Sequence, residues 1–388
     1  MKNTITMVFA FIALFTLSAP AQKSATDGRG VREKSFTVEK GGRLEVSVRS
    51  GDIRISPWSK SEVHIAADGI DEEDVDRLRM TQSGNTVRVE FRPRGNWRGG
   101  WNGNPRFQIS IPADFNVDMK TSGGDLEVTG GVNGKIEGST SGGDIKLNSV
   151  TGTVDLSTSG GDVRVGDIKG NADLSTSGGD IELRSVDGEA NVRTSGGDIT
   201  VTKVGKRLVA KTSGGDIEIG DVGGEADVST SGGDVRVGKV SGDARLRTAG
   251  GNIRLQGASG KVGASTAGGD IDLANITGSI DAKTAGGDIK AELVPSGKGV
   301  SELKTAGGDI MLAVPENAKA TIEAVIRVED RWRSRRDRYE VRSDFTAETY
   351  EKDSEYGDVR ATYVLNGGGE RIYLETVNSN IEIRKLRK

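Results

Sequence analysis

The chain reads as an all-β protein, a parallel β-solenoid (β-helix) with rungs of ~18 residues and atypical β capping regions at both ends. Three observations predict this. Eleven hexapeptides of the form T-[S/A]-G-G-[D/N]-[I/L/V] begin at Thr121, Thr140, Thr158, Thr176, Thr194, Thr212, Thr230, Thr248, Thr266, Thr284 and Thr305, every 18 residues except for 19 in the first step and 21 in the last. Between them, apolar residues alternate with polar ones. The 57 glycines concentrate at two recurring corners, as ordered turns rather than a collagen-like or disordered tract. A period of this length marks a stack in which each coil buries its apolar face only against its neighbours.

The repeat that begins at Thr176 shows the logic. Ile181 and Leu183 flank Glu182, and Ala190 and Val192 flank Asn191, so each run sends one set of side chains inward. Thr194 keeps the parity of Val192 and is expected to face in, its methyl packed and its hydroxyl bonded to backbone or a neighbouring Thr. Gly178-Gly179 is expected to supply positive φ at a corner where a side chain would clash. Asp180 is expected to fold its carboxylate onto nearby amides. A second corner falls near Gly188 and its equivalents. Corners this short leave the outward faces flat.

Outside the array the pattern degenerates without disappearing. Leu44-Glu45-Val46-Ser47-Val48 alternates, and Ser50-Gly51-Asp52-Ile53-Arg54-Ile55 is a degenerate repeat corner. Residues 71–78 suit one or two helical turns, and 86–91 and 107–111 read as strands that pair across the loop between them. Residues 320–328 and 359–365 read as strands, and Ile372-Tyr373-Leu374 with Asn378-Ser379-Asn380-Ile381-Glu382-Ile383 forms another degenerate coil. Such ends would cover the exposed edges of the stack.

The first residues carry an export pattern. Lys2 precedes an apolar stretch of about 13 residues, then Ala19-Pro20-Ala21 before Gln22, the order of a signal peptide cleaved after Ala21. The run is short of the ~20 residues of a spanning helix. The expected organisation is 1–21 signal peptide, 22–32 linker, 33–120 N-terminal β capping region, 121–314 regular solenoid and 315–388 C-terminal β capping region. Export places the protein in the periplasm, at the cell surface or outside the cell. With no cysteine there are no disulfides, and a net charge of -4 spread over 28% charged residues selects neither nucleic acid nor an anionic membrane.

Together, the tandem T-S-G-G-D-I coils, Ile111-Pro112 before them, Val314-Pro315 after them, and the closing Gly367-Gly368-Gly369 with Ser379-Asn380-Ile381 resemble the bacterial putative-adhesin family. That family is a domain of unknown function, and the resemblance runs over roughly residues 35–385. It implies a cell-envelope or secreted β-solenoid and carries no catalytic residues across.

Four constellations bear on function. The first is a corner column of Asp125, Asp144, Asp162, Asp180, Asp198, Asp216, Asp234, Asn252, Asp270, Asp288 and Asp309. Unit charges ~4.8 Å apart repel by ~0.9 kcal/mol even in bulk water, so something must compensate. Calcium does so in the G-G-x-G-x-D β-roll, but this repeat lacks the second glycine-aspartate pair and has twice the period. Structural turn residues without a metal are therefore expected. The second is a pair of outward stripes: Lys146, Arg164, Glu182, Thr200, Glu218, Arg236, Arg254, Asp272 and Lys290 on one strand, and Asp155, Asp173, Asn191, Val209, Asp227 and Arg245 on the other. Their mixed signs suit a solvated face.

The third is aromatic and basic: Trp97, Arg98 and Trp101 near the N-terminal end, and Trp332, Arg333, Arg335 and Arg336 near the C-terminal end. Exposed Trp and Arg stack on sugars and clamp anionic groups, which makes these the expected ligand contacts. The fourth is catalysis, where the sequence offers little. The sole histidine, His64, lies outside the array, and the array's Ser column becomes Ala at Ala249, Ala267, Ala285 and Ala306. The expected protein is a non-enzymatic, cofactor-free, adhesin-like binding or structural module, with an envelope glycan or surface protein as partner. A self-assembling bactofilin-like scaffold is the alternative, and a β-helix polysaccharide lyase-like enzyme the remoter one.

Overall fold

The computed structural model describes residues 31–94, 105–295, 299–329, 338–353 and 357–386. Among the described residues 35 strands form two long sheets, one of them 17-stranded, and the only helical element is the 3-10 turn Glu72–Arg77. Each regular coil contributes one strand to each sheet. In one coil these are Ile181–Val186 and Ala190–Arg193, separated by the corner around Gly188. Successive coils pair in parallel at the repeat offset, Ile181 beside Ile199 and Ala190 beside Leu208. The alternation therefore becomes two sheets with one apolar core between them.

Ile145, Val163, Ile181, Ile199, Ile217, Val235, Ile253, Ile271 and Ile289 form one continuous column, none more than 1% exposed. Leu126 and Ile53 extend it at one end, Ile310 and Ile381 at the other. Leu183 lies buried beside it. The three-residue step from Leu183 to Val186 breaks the alternation and brings Val186 inward as well. The array's own sequence contains no aromatic residue; Phe91, Phe107 and Phe115 are fully buried at the N-terminal end.

The corner differs from the expectation in one respect. Neither Gly178 nor Gly179 takes a left-handed φ. What the second glycine supplies is closeness: a Cβ on Gly179 would lie 2.1 Å from the carbonyl oxygen of Gly161 in the preceding coil. The same overlap recurs at Gly143, Gly197, Gly251 and Gly308. At Gly178 a Cβ would find its nearest neighbour at 3.6 Å, an ordinary contact. The buried Thr completes the joint. Thr176 Oγ1 donates to the Gly161 carbonyl at 2.9 Å and accepts the Gly179 N–H at 3.3 Å, tying its own corner to the one below.

At both ends the chain inserts a coil out of sequence order. The coil made of Gly42–Val48 and Asp52–Trp58 is sandwiched between the strands of 86–112 and those of 115–133. At the other end, Glu370–Val377 and Ile381–Lys385 lie between the strands of 300–314 and those of 320–343. Antiparallel strands lie outside these inserted coils: Arg32–Thr37 with Glu62–Asp68, Leu78–Ser83 with Thr86–Phe91, and Thr349–Lys352 with Val359–Leu365. The strands Thr86–Phe91 and Arg106–Pro112 do not pair with each other, contrary to the sequence reading. They belong to opposite sheets and meet through side chains, with the Phe91 and Phe107 ring centroids 5.9 Å apart across the core.

Two substitutions check this packing. Leu183→Asp should abolish cooperative folding, because it places an unpaired charge between stacked coils. Gly179→Ala should destabilise by about 3 kcal/mol or more, whereas Gly178→Ala should stay within about 1 kcal/mol of the parent. Thermal unfolding followed by circular dichroism reads both, and equal effects at the two glycines would refute the steric account.

Candidate functional site

The corner carboxylates form a ladder. Asp180 Oδ1 accepts the backbone N–H of Asp198 at 2.8 Å, and Asp180 N–H in turn donates to Asp162 Oδ1 at 2.9 Å. The acceptor is the next coil's amide, not one in the aspartate's own turn. The bonds run without interruption from Asp52 through Asp125, Asp144, Asp162, Asp180, Asp198, Asp216, Asp234, Asn252, Asp270, Asp288 and Asp309 to Asn380. Asn380 then accepts from Glu340 N–H. Asn252 fits because only a side-chain oxygen is needed.

Each amide thus offsets part of the repulsion between neighbouring carboxylates. Arg164 adds an ion pair to Asp162 at 2.8 Å and Arg236 one to Asp234 at 2.6 Å. Those arginines sit two residues after their aspartates, on the same outward parity, a pairing the stripe reading overlooked. Among the described residues no three His, Cys, Asp or Glu side chains converge as metal ligands.

The ladder edge also organises the flanks. Every connection along this edge leads from the second sheet to the first, and in the regular coils it is the T-S-G-G-D corner. The Arg/Trp stretches interrupt the same connection in the outer coils, between Thr86–Phe91 and Arg106–Pro112 and between Ala320–Arg327 and Val341–Ser343. Trp97, Arg98, Trp101, Trp332, Arg333, Arg335 and Arg336 themselves lie outside the described residues. Their roots are held. Arg94 N–H donates to Asp74 Oδ1 at 2.7 Å and its guanidinium reaches Asp76, while Tyr339 packs against the core. Fourteen coil-to-coil steps of ~4.8 Å separate the two roots, a span of ~67 Å along one edge.

The outward stripes lie in register as read. On the first sheet, Arg164 approaches Glu182 at 3.8 Å and Arg254 approaches Asp272 at 3.7 Å. These exposed pairs contribute ~0–1 kcal/mol each. Elsewhere, hydrogen bonds from Ser185 and Arg184 hold the Asp167 carboxyl below its ordinary range, and hydrogen bonds from Lys304 and Lys283 do the same for Glu302. A carboxyl shifted down stabilises the fold above its unfolded pKa. That contribution is lost as pH falls through the folded value.

His64 does not form a catalytic relay. Its Nδ1 lies 3.1 Å from Ser35 Oγ, but the nearby Glu62 carboxylate touches that same hydroxyl, at 3.3 Å, rather than orienting the ring. The His64 and Trp58 ring centroids lie 6.0 Å apart. No helix of the described residues is long and apolar enough to cross a membrane.

The fold and its edge define a single-stack parallel β-solenoid whose corners are joined by Thr and Asp ladders. The chain belongs to the Toastrack DUF4097 family, whose model matches residues 42–223 and again 206–328. This agrees with the adhesin-like family resemblance of its repeats. No curated protein matches the chain. Among solved structures it is similar to a putative adhesin from Bacteroides fragilis NCTC 9343 at 12% identity, covering 92% of this chain and 97% of that one, with a TM-score of 0.23. A putative adhesin from Parabacteroides merdae ATCC 43184 aligns at 12% identity over 92% and 96%, with a TM-score of 0.28. A putative lipid binding protein from Parabacteroides distasonis ATCC 8503 aligns at 12% over 92% and 97%, with a TM-score of 0.22. Scores this low carry no argument about function.

The ladder generates a prediction. Asp180→Asn should leave stability nearly unchanged, whereas Asp180→Ala should cost about 1 kcal/mol, the value of a lost side-chain hydrogen bond. Chelator should not move the melting temperature of the parent. A large calcium-dependent rise would overturn the ladder as the means by which the carboxylates are accommodated.

Proposed function

We propose that the protein is an exported, non-catalytic binding module of the cell envelope, with recognition at the Arg/Trp segments and reach from the ladder between them. One observation carries this reading. The described roots of both segments, at Arg94 and at Tyr339, lie on the same edge of the stack, one at each end, with the regular coils between them. Large aromatics and arginine are the usual anchors of recognition, and the array between Thr121 and Ile310 contains no Trp, Tyr or Phe. Two weak contacts on one stiff spacer reinforce each other through effective concentration when the target is a repeating polymer. An envelope glycan is the target class such anchors fit, because indole and guanidinium planes stack on sugar rings and pair with their acidic substituents. The flat faces and short corners do not enclose the deep cleft that a polymer-cleaving enzyme needs. Export rests on the Lys2, apolar-run and Ala19-Pro20-Ala21 pattern, which lies outside the described residues.

A glycan and cell-wall binding array with the purified protein tests the reading. Replacing Trp97, Trp101 and Trp332 with Ala should abolish binding while leaving the β circular dichroism intact. Replacing one end alone should weaken binding to polymers far more than to short oligosaccharides. A triple variant that binds like the parent would move recognition onto the flat faces.

A further inference from the structure

At the N-terminal end of the second sheet, cations gather on the outer face beside the ladder edge. Four strands carry them, in spatial order Leu78–Ser83, Thr86–Phe91, Gly42–Val48 and Phe115–Lys120. Arg49 and Arg92 each follow the last residue of a strand, Val48 and Phe91, which pair in register. The Arg49 N–H donates to the Phe91 carbonyl at 2.9 Å, so the two exposed arginines stand side by side. Leu78 pairs with Phe91 from the other side, which brings Arg77 next to Arg92. One step in from the edge, Arg79 lies opposite Glu90 and Lys120 opposite Ser47. Arg49, Arg79 and Arg92 make no ion pair among the described residues. The acids at the margins are engaged: Asp118 by Arg43 at 3.3 Å and Lys120 at 3.2 Å, Glu45 by Arg88 at 2.6 Å, and Asp76 by Arg94, with Arg77 3.9 Å away. Glu90 is the one unpaired carboxylate within the patch.

Like charges on adjacent strands repel, and elsewhere the fold supplies partners for them. The Asp column has backbone amides, Arg54 has Glu127, and Arg43 has Glu45, Asp118 and Glu137. The neighbours Arg49 and Arg92 have no such partner. Stacking does not call for arginine here, because the equivalent corner position of the regular coils, from Ser122 to Ala306, holds only Ser or Ala. We propose that this patch binds an acidic polymer of the cell envelope through its carboxylates or phosphodiesters. A guanidinium takes either group through paired N–H donors. Three strand-to-strand steps spread the cations over ~14 Å, which consecutive anionic residues of an extended chain can span and a single small anion cannot. A membrane surface is the poorer match. Val31, Val294, Val300, Tyr350 and Val364 are the exposed large apolar side chains among the described residues, and none lies on these four strands to anchor in lipid. The inference rests on the envelope-binding reading and narrows its target to a polyanion, through side chains other than the tryptophans.

Titration of the purified protein with polygalacturonate, poly(glycerol phosphate) and neutral dextran tests it. At least one of the two acidic polymers should bind, and the tighter of them names the anion; dextran should compete with neither. Affinity should fall by about tenfold or more as salt screens the contacts. R49E/R92E should lose about tenfold or more, whereas Glu90→Gln should bind more tightly than the parent. K146E/K290E, which removes the same charge from the other sheet, should bind like the parent. These positions are exposed, so circular dichroism should be unchanged in every variant. A parent that binds neither acidic polymer, an R49E/R92E variant that binds like the parent, or an equal loss in K146E/K290E would overturn the proposal. So would tighter binding to phosphatidylglycerol vesicles than to either polymer, lost in R49E/R92E, since the patch would then face a membrane. The tryptophan variants separate this from the parent reading. If they lose glycans that R49E/R92E keeps, the patch alone fails; if they keep a polyanion that R49E/R92E loses, the tryptophan assignment alone fails.

Discussion

The structure depends on how closely two backbones approach at one corner. Where Gly179 passes over Gly161 there is no room for a Cβ, and that closeness lets Thr176 bond the carbonyl below while Asp180 accepts the amide above. Thr, Gly and Asp are thus three parts of one joint. Remove the contact distance and the hydroxyl and carboxylate lose their partners together. Repeated along the stack, the joint holds the Ile column in register, and a core of small aliphatic side chains suffices without disulfides or aromatics.

The same joint settles the electrostatics of the edge. Carboxylates one coil apart repel, and burying them without partners would cost more than the array could bear. Here each stays at the surface, with one oxygen bound to a backbone amide and the other open to water or to an arginine such as Arg164. An unbroken run of donors and acceptors from Asp52 to Asn380 makes the edge stiff.

The ends obey a different rule. A bare coil presents a whole edge of unpaired backbone in both sheets, and the chain covers it by threading a terminal coil inside its neighbour and adding antiparallel strands outside. The larger side chains gather there, with Phe91 and Phe107 meeting across the core. Two kinds of coil are thus divided along the chain: uniform coils between, irregular coils with roots for the Arg/Trp segments at the ends.

Much of this was legible in the sequence because an exact repeat forces equivalent residues into equivalent places. The period, the inward column from Ile145 to Ile289, the inward Thr and the degenerate coils at Asp52 and Asn380 all follow from parity and spacing. What the sequence could not show was contact between coils. It assigned Gly179 to backbone freedom when the reason is a neighbour's carbonyl, and Asp180 to its own turn when the acceptor serves the next coil's amide. It paired 86–91 with 107–111 although a coil sends consecutive strands to opposite sheets. The order in which the end coils stack and the shared edge of the two Arg/Trp roots were likewise decided only in the tertiary structure. Each depends on residues one or more coils apart in the chain, and a linear pattern holds no distances between them.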